Sequence, residues 1–300
     1  MRGKRVKKRR RTLAGTLGFM LLVAGIYAGF TAKEWKIGGP MVSSVVDAAP
    51  PAETATSSPP VGVESPAPTP APTPTPTPKP PEVAVRPPEI HHPEQYKNRK
   101  LVALTFDDGP DNNYTTKILD ILEEQHVKAT FFLVGTQVVK YPATAKRIVD
   151  EGHSIGNHSW SHSDLSKLSG DALELQIGKT QQAIIQATGV TPGLMRAPYG
   201  ALSDGVLDAI HRDGMKHIYW TVDTKDWAGS SVASIRKNVL DHTHKGGIIL
   251  MHSFGGKKNA LDHTVKVLPT IIKDLQARGY ELVTVDELID SEQVHPSVIK

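Results

Sequence analysis

Two adjacent carboxylates stand at the point where a predicted strand ends. Residues 101–106, LVALTF, form an apolar run typical of a buried strand, and Asp107, Asp108, Gly109 and Pro110 follow it directly. Gly and Pro together predict a turn, so both carboxylates lie at the end of the strand. Two neighbouring negative charges repel each other, and burial opposes the ionisation of each. The pair is therefore either solvated in an ordinary turn or stabilised by other groups for a chemical function.

Two histidines are the second group of candidate residues. His158 and His162 lie four residues apart in the segment NHSWSH. This spacing alone is common among surface histidines. Together with an acidic pair, it supplies a two-histidine, one-carboxylate metal site that leaves coordination positions open for water and substrate. The chain has no cysteine, so any metal site must use histidine and carboxylate ligands.

The elements that would position these side chains alternate along residues 98–290. Strand-like runs have the sequences LVALTF, ATFFLV, GLMRA, HIYWTV, GIILMH and YELVTV. Helical runs lie between them, and one of these ends at Gly189, a residue type that commonly ends helices. Repeated strand–helix units predict a parallel sheet covered by helices, which is an α/β fold. Because about 190 residues are too few for eight complete strand–helix units, we predict a distorted, incomplete (β/α) barrel.

Further polar clusters follow other predicted strands. RAPYG (residues 196–200) follows the run that begins at Gly193, DTKDW (residues 223–227) follows HIYWTV, and His252 ends GIILMH. The carboxyl ends of parallel strands meet at one edge of the sheet, where α/β proteins place their active sites. Scattered solvated side chains would not all fall at this edge, so the pattern favours a functional site.

Five motifs in this order resemble those of a known family. TFDDGP, HSWSH, RAPYG, DTKDW and ILMH are similar to the five motifs of the polysaccharide deacetylases, carbohydrate esterase family four, over about residues 100–290. The resemblance implies a distorted (β/α) barrel and metal-dependent removal of N- or O-acetyl groups from polysaccharides. Within the family, the chain resembles membrane-anchored bacterial peptidoglycan N-acetylglucosamine deacetylases.

The resemblance also implies different roles for the two aspartates. Asp108 would join His158 and His162 as ligands of a divalent metal, with zinc expected first and cobalt, nickel or manganese as alternatives. Such a metal lowers the pKa of a bound water and polarises the acetyl carbonyl. Asp107 would be the general base that takes the proton of this water, and Arg196 would orient it.

The remaining motif residues would complete the reaction. The backbone N–H of Tyr199 would stabilise the oxyanion together with the metal. His252, oriented by Asp226, would protonate the leaving amine. The substrate pocket is predicted to include Pro198, Trp227 and Leu250.

Two other classes of function compete with this interpretation. GHSIG, residues 152–156, matches the G-x-S-x-G pattern of serine hydrolases, in which the serine lies between a strand and a helix. Here the predicted helix ATAKRIVDEG precedes Ser154, which disfavours a serine nucleophile. A wall-binding protein that has lost catalysis is the other alternative, and the intact motifs disfavour it.

The beginning of the chain differs from the rest in charge and hydropathy. Residues 1–11 contain eight of the 35 Lys and Arg residues and no acidic residue, and residues 12–32 are uncharged. About 20 apolar residues in a helix are enough to cross a bilayer. The positive flank predicts a cytoplasmic tail and a single-pass anchor in the cell membrane, with the remainder of the chain outside the cell, facing the cell wall. A cleaved signal peptide is the alternative.

Proline content separates the anchor from the predicted domain. Sixteen of the 23 prolines fall within residues 50–93, and no aromatic residue occurs within residues 37–95. Such a segment cannot bury enough apolar surface to fold, so residues 33–97 are predicted to be a disordered linker that reaches into a cell wall. Residues 98–290 then form the catalytic domain, and residues 291–300 form a C-terminal tail.

Charge and topology together indicate the partners. Without the basic tail the chain has 27 basic and 31 acidic residues, so its positive net charge comes from the tail and no nucleic-acid-binding surface is expected. The predicted partners are the membrane and an envelope polysaccharide. Peptidoglycan with N-acetylglucosamine or N-acetylmuramic acid is the first expectation, and chitooligosaccharides or acetylxylan are the alternatives.

Overall fold

The computed structural model describes residues 93–300. The predicted basic tail (residues 1–11), the predicted membrane anchor (residues 12–32) and most of the predicted linker lie outside this part of the chain. Among residues 93–300, no helix combines the length and apolar composition that a membrane crossing requires.

Eight strands of the described region form one parallel sheet. They are β1 (Lys100–Asp107), β2 (Thr130–Leu133), β3 (Ser154–Asn157), β4 (Leu194–Met195), β5 (Lys216–His217), β6 (Val222–Asp223), β7 (Gly247–His252) and β8 (Tyr280–Val283). Their order is β5-β4-β3-β2-β1-β7-β6, and β8 pairs with the first half of β1. Within this sheet β5 and β6 are the two ends of the order, so the barrel is open between them. The predicted distorted, incomplete (β/α) barrel agrees with this topology.

Helices connect the strands and cover the sheet. They are α1 (Tyr114–Glu124), α2 (Gly135–Lys140), α3 (Pro142–Asp150), α4 (Gly170–Thr188), α5 (Asp204–Arg212), α6 (Val232–His242), α7 (Leu261–Ala277) and α8 (Val285–Asp290). The largest apolar cluster lies between the strands and helices that include α1, α4, α6 and α7. Helix α4 is followed by Gly189 in the left-handed conformation, with a φ of 76°, as the sequence predicts.

Strand β1 brings the acidic pair to the edge of the sheet. Its apolar residues are fully buried, as a strand covered on both faces requires: Leu101, Val102, Ala103, Leu104 and Phe106. In the register of the sheet, Asp107 lies beside Phe132 of β2 and beside His252 of β7. The strand that ends in the aspartates and the strand that ends in the histidine therefore terminate at the same level.

One predicted strand is two separate strands. The sequence predicts a single strand in HIYWTV, whereas the structure places β5 at one end of the sheet and β6 at the other. The strand is interrupted because its middle residues pair elsewhere. Ile218 forms an antiparallel bridge with Ile299, and the N–H of Tyr219 donates to the carbonyl oxygen of Val298.

Strand β3 is absent from the sequence prediction. Its sequence, SIGN, contains one large apolar residue, yet three of its four residues are buried. A side chain at Gly156 would clash with the ring of Phe132 on the neighbouring strand. Close approach between strands, rather than apolar composition, accounts for this element.

The packed region extends beyond the predicted boundaries at residues 98 and 290. Tyr96, within the predicted linker, is buried in a short 3₁₀ helix. In the predicted C-terminal tail, Val298 is buried, and the N–H groups of His217 and Lys300 each donate to the other's carbonyl oxygen. The C-terminal residues pair with backbone groups of the edge strand β5 that the sheet leaves unpaired. The composition of the tail does not reveal this pairing.

Candidate active site

A cavity of about 640 Å³ opens at the carboxyl ends of the strands. Segments that follow β1, β2, β3, β4, β6 and β7 contribute to its wall. The predicted site residues that line it are Asp107, Asp108, His158, His162, Tyr199, Trp227, Leu250 and His252. Polar clusters that are distant in the sequence therefore meet in one place.

Asp108, His158 and His162 form the cluster with metal-ligand chemistry. Oδ1 of Asp108 lies 3.2 Å from Nε2 of His162 and 3.4 Å from Nε2 of His158. The candidate ligand atoms of the three residues all lie within 4.8 Å of one another. This Oδ1 atom is buried without a hydrogen-bond partner. Since a buried carboxylate oxygen without a donor is costly unless a cation satisfies it, the trio fits a divalent metal with an open coordination position.

The two histidines are oriented by the loop after β3 and by its neighbours. The loop is not helical at this point, because Ser159 and His162 have left-handed φ values of 66° and 57°. Nδ1 of His158 lies 2.6 Å from the carbonyl oxygen of Arg196. A carbonyl only accepts, so Nδ1 carries the proton and the Nε2 lone pair is free for a ligand. Nδ1 of His162 lies 3.2 Å from the hydroxyl of Tyr199.

Burial and the neighbouring opposite charges shift the pKa values of this trio in opposite directions. Burial raises the pKa of Asp108, but the imidazoles of His158, His252 and His162 outweigh it and lower that pKa below its usual value. Burial lowers the pKa of His162 from its usual value. For His158, the carboxylates of Asp107 and Asp108 outweigh burial and raise the pKa. The carboxylates thus attract positive charge to this point, which a bound cation would supply in place of a proton.

Asp107 is held beside the trio by a buried arginine. Nη1 of Arg196 donates to Oδ1 of Asp107 over 2.7 Å, and neither side chain is more than 4% exposed. The guanidinium also donates to Oγ1 of Thr105 and to the carbonyl oxygens of residues 218 and 219. Oδ2 of Asp107 faces the trio, 3.6 Å from Nε2 of His158. One carboxylate oxygen is therefore bound to arginine, and the other remains available to a proton.

His252 is paired with a buried carboxylate. Its Nδ1 lies 2.8 Å from Oδ1 of Asp226, which is fully buried. Asp226 also accepts hydrogen bonds from the backbone N–H groups of His252 and Trp227 and from the hydroxyl of Thr264. Burial lowers the pKa of His252, but the hydrogen bond and charge of Asp226 outweigh it and raise the pKa from 6.5 to about 9. At neutral pH the imidazole is protonated, and Nε2 is the nitrogen that Asp226 does not bind.

The sequence matches known polysaccharide deacetylases. The family model described as polysaccharide deacetylase matches residues 94–218. A peptidoglycan-N-acetylglucosamine deacetylase of Bacillus cereus is 41% identical over 196 residues, which are 65% of this chain and 70% of that protein. The chain belongs to the polysaccharide deacetylase family.

Two further members of the family differ in how much of their length the chain matches. The peptidoglycan-N-acetylglucosamine deacetylase PgdA of Listeria monocytogenes is 41% identical over 205 residues, which are 68% of this chain and 41% of that protein. The chain therefore spans about two fifths of the length of this relative. The crystal structure of the Bc1960 peptidoglycan N-acetylglucosamine deacetylase is similar with a TM-score of 0.61 and 41% identity, covering 66% of this chain and 92% of that one. The predicted membership of the deacetylase family is confirmed.

The family motifs contribute both to the wall of the cavity and to the layer beneath it. Arg196 and Asp226 are buried and do not line the cavity, whereas Tyr199 and Trp227 are 69% and 44% exposed. Pro198, predicted for the substrate pocket, is buried and is not part of the cavity wall, although its two chain neighbours are. The proline begins the 3₁₀ turn Pro198–Gly200, and its neighbours Ala197 and Tyr199 line the cavity instead.

Several residues of this candidate site are outside the predicted set. Trp220 and Phe254 line the cavity, and their only signal in the sequence is that each lies close to a motif. Thr264 donates to Asp226 from helix α7, 38 residues away. Thr105 accepts from Arg196 across the sheet. Thr105 begins the TFDDGP motif without a predicted role, and no local pattern marks Thr264, because each threonine acts through a partner that is distant in the sequence.

Ser154, the candidate serine nucleophile, lies away from the cavity. It is the first residue of β3, whose opposite end leads to the two histidines. Its hydroxyl contacts a carboxylate oxygen of Asp286, and it is not part of the cavity wall. The structure therefore gives the GHSIG segment no place in the site, in agreement with the sequence argument against a serine nucleophile.

Proposed function

We propose that this protein is a metal-dependent hydrolase that removes N-acetyl groups from the amino sugars of peptidoglycan. The observation that carries the proposal is the arrangement around one cavity. A trio with metal-ligand chemistry, a carboxylate paired with arginine and an imidazole paired with a carboxylate all face this cavity. Family membership supports acetyl-group hydrolysis on a polysaccharide, and the names of the Bacillus and Listeria relatives support a cell-wall substrate.

Asp107 is the proposed base. Asp108, His158 and His162 would hold the metal, with zinc as the first expectation. A bound divalent cation would lower the pKa of a water molecule and polarise the acetyl carbonyl. Oδ2 of Asp107 accepts the proton that the water loses as its oxygen bonds to the acetyl carbon. Arg196 holds the other carboxylate oxygen, so Oδ2 is the atom free to accept.

Tyr199 acts as water adds to the acetyl carbon, and His252 acts as the carbon–nitrogen bond breaks. The backbone N–H of Tyr199 donates to the oxyanion that develops on the acetyl oxygen. Nε2–H of His252 protonates the amide nitrogen, and the products are acetate and a free amino sugar. Nδ1–H of His252 stays bonded to Asp226, which keeps the imidazole in place during the transfer.

Acetate release from purified peptidoglycan tests this proposal. We expect release to exceed that from chitooligosaccharides and acetylxylan, to stop after a strong chelator and to return with added zinc or cobalt. Ser154→Ala is the matched control and is expected to keep most of the activity. Full activity after verified metal removal would contradict the metal-dependent mechanism, and a clear preference for chitooligosaccharides or acetylxylan would contradict the proposed substrate.

We also propose that residues 12–32 anchor the protein in the cell membrane, with the catalytic region facing the cell wall. The eight positive charges before residue 12 and the uncharged run after them support this topology. Protease added to intact, wall-stripped cells is expected to release a soluble fragment cut within residues 37–97. A catalytic region that stays protected until the membrane is lysed would contradict the orientation.

A further inference from the structure

Two side chains near the end of β5 contact the turn that carries Tyr199. Nε2 of His217 accepts a hydrogen bond from the N–H of Ala197 over 3.1 Å. The hydroxyl of Tyr219 donates to the carbonyl oxygen of Gly200 over 3.2 Å. One bond lies before Tyr199 in the chain and the other lies after it, so the turn is held on both sides.

The turn requires such restraint because its backbone is strained. Tyr199 has a φ of 62°, a region that residues with a side chain seldom occupy. Its ring contacts His162 but is 69% exposed, so little buried packing holds this conformation. The N–H of Tyr199 is the proposed oxyanion donor, and such a donor is effective only when its position is fixed before the reaction.

His217 has the properties of a dedicated hydrogen-bond acceptor. It is fully buried, and burial, together with the positive charge of Arg196, lowers its pKa to about 3, so the ring is neutral near neutral pH. Since Nε2 accepts, Nδ1 carries the proton, and this atom is buried without a hydrogen-bond partner. An unpaired buried N–H is destabilising, which indicates that stability alone does not account for a histidine at this position.

Backbone pairing holds the two side chains in place. The N–H groups of His217 and Lys300 each donate to the other's carbonyl oxygen, and the N–H of Tyr219 donates to the carbonyl oxygen of Val298. The rings of His217 and Tyr219 pack edge to face, with centroids 4.5 Å apart. The segment beneath the turn is therefore a fixed support.

From this geometry we propose that His217 and Tyr219 are positioning residues that hold the turn from Ala197 to Gly200 and thereby aim the Tyr199 N–H at the reacting acetyl group. The inference rests on the proposed deacetylase function. Neither side chain lines the cavity, so each acts through the backbone of the turn. Loss of either bond is expected to lower kcat with little change in KM or metal content, because the oxyanion exists only in the transition state.

Three variants of the full-length, metal-loaded protein test the proposal. His217→Leu removes the acceptor, His217→Gln keeps an acceptor at a similar reach, and Tyr219→Phe removes only a hydroxyl. On peptidoglycan we expect kcat to fall about 10–100-fold for His217→Leu and about 3–10-fold for Tyr219→Phe, less than the loss of a whole oxyanion donor. The kcat of His217→Gln is expected to stay within about threefold of the wild-type value, because glutamine keeps an acceptor for the turn and the oxyanion donor is not misplaced.

Hydrogen exchange of the turn is the readout that does not need turnover. His217→Leu and Tyr219→Phe are expected to speed exchange of the hydrogen-bonded amides of Ala197 and Gly200 and to leave exchange of β1 unchanged, while His217→Gln restores slow exchange. If the wild type releases no acetate, the proposed function fails, and the exchange rates still decide whether the two side chains hold the turn.

Either of two results would overturn the inference. One is that the wild type is active and that both folded variants, His217→Leu and Tyr219→Phe, have the same kcat as the wild type. The other is wild-type exchange of the turn in both variants. If His217→Leu does not fold, Tyr219→Phe decides by the same two measurements.

Discussion

The two sides of the cavity use buried ion pairs of opposite polarity. On the side of β1 and β4, the buried cation Arg196 holds the carboxylate of Asp107. On the side of β6 and β7, the buried anion Asp226 holds the imidazole of His252. In each pair the partner away from the cavity is fully buried, and the group at the cavity is bonded to it. The proposed base and the proposed acid therefore face one cavity, each held by its own buried partner.

The comparison also separates two neighbouring carboxylates. Oδ1 of Asp107 is satisfied by Arg196, whereas Oδ1 of Asp108 is buried without a hydrogen-bond partner and faces two imidazoles. The two aspartates are adjacent and chemically identical, yet their carboxylate oxygens differ in which partners they already have. Asp107 is suited to accept a proton, and Asp108 is suited to bind a cation.

The largest expected effect comes from the pair of aspartates. Asp107→Asn is expected to keep the metal and to lower kcat at least about 10³-fold, because the neutral amide cannot accept the water proton. Asp108→Asn is expected to lose metal affinity together with activity. Bound zinc and acetate release, measured on both purified proteins, check the prediction. Equal metal loss in the two variants would show that the roles are not divided in this way.

On the acid side, His252→Ala is expected to lower kcat about 10²–10³-fold on the amide substrate, within the range of general acid catalysis. Zinc content is expected to stay at the wild-type level. The loss is expected to be smaller on an activated aryl ester, whose leaving group does not need a proton. Equal damage to both substrates with the zinc intact would remove His252 from the role of leaving-group acid.

Asp226→Asn tests whether the buried anion sets the acid's pKa. Asp226 raises the pKa of His252 to about 9, so catalysis by this acid is present below that pKa and is lost as pH rises through it. A bound metal's charge moves this limit below the value of the metal-free site, and loss of the carboxylate moves it further down. The alkaline limb of the kcat profile is therefore expected at lower pH in the variant.

Asp223→Asn is the matched control for this shift. Asp223 also lines the cavity, and its side chain accepts from the backbone N–H of Lys225 rather than from His252. The control is expected to move the alkaline limb much less than Asp226→Asn. Equal shifts in the two variants would indicate a general charge effect instead of a specific pair.

The smallest expected effect is that of Thr264→Val. The buried hydroxyl is one of several donors to Asp226, and the backbone donors of His252 and Trp227 remain in the variant. Loss of one hydrogen bond worth about 1 kcal/mol corresponds to a decrease in kcat of about fivefold. Thr188→Val, which removes a hydroxyl bonded to a helix carbonyl in α4, is the control and is expected to keep the wild-type kcat. An unchanged kcat for Thr264→Val would show that Asp226 does not need this donor.

Local sequence patterns were sufficient to predict the parallel α/β architecture and the edge that carries the site. Apolar runs such as residues 101–106 indicate buried strands, and polar residues that directly follow them must lie at strand ends. The five motifs were likewise sufficient for the family, because their residue types and order are properties of the chain itself. Eight of the predicted site residues accordingly line one cavity.

Contacts between residues distant in sequence decided the rest. The run HIYWTV divides because Ile218 pairs with Ile299, and β3 forms because Gly156 allows a close approach to Phe132. Thr264 reaches Asp226 from α7, a contact that no spacing along the chain could indicate. Which member of each ion pair faces the cavity also depends on which partner is buried. Burial and pairing arise only when the whole sheet is assembled, so the tertiary structure alone determines them.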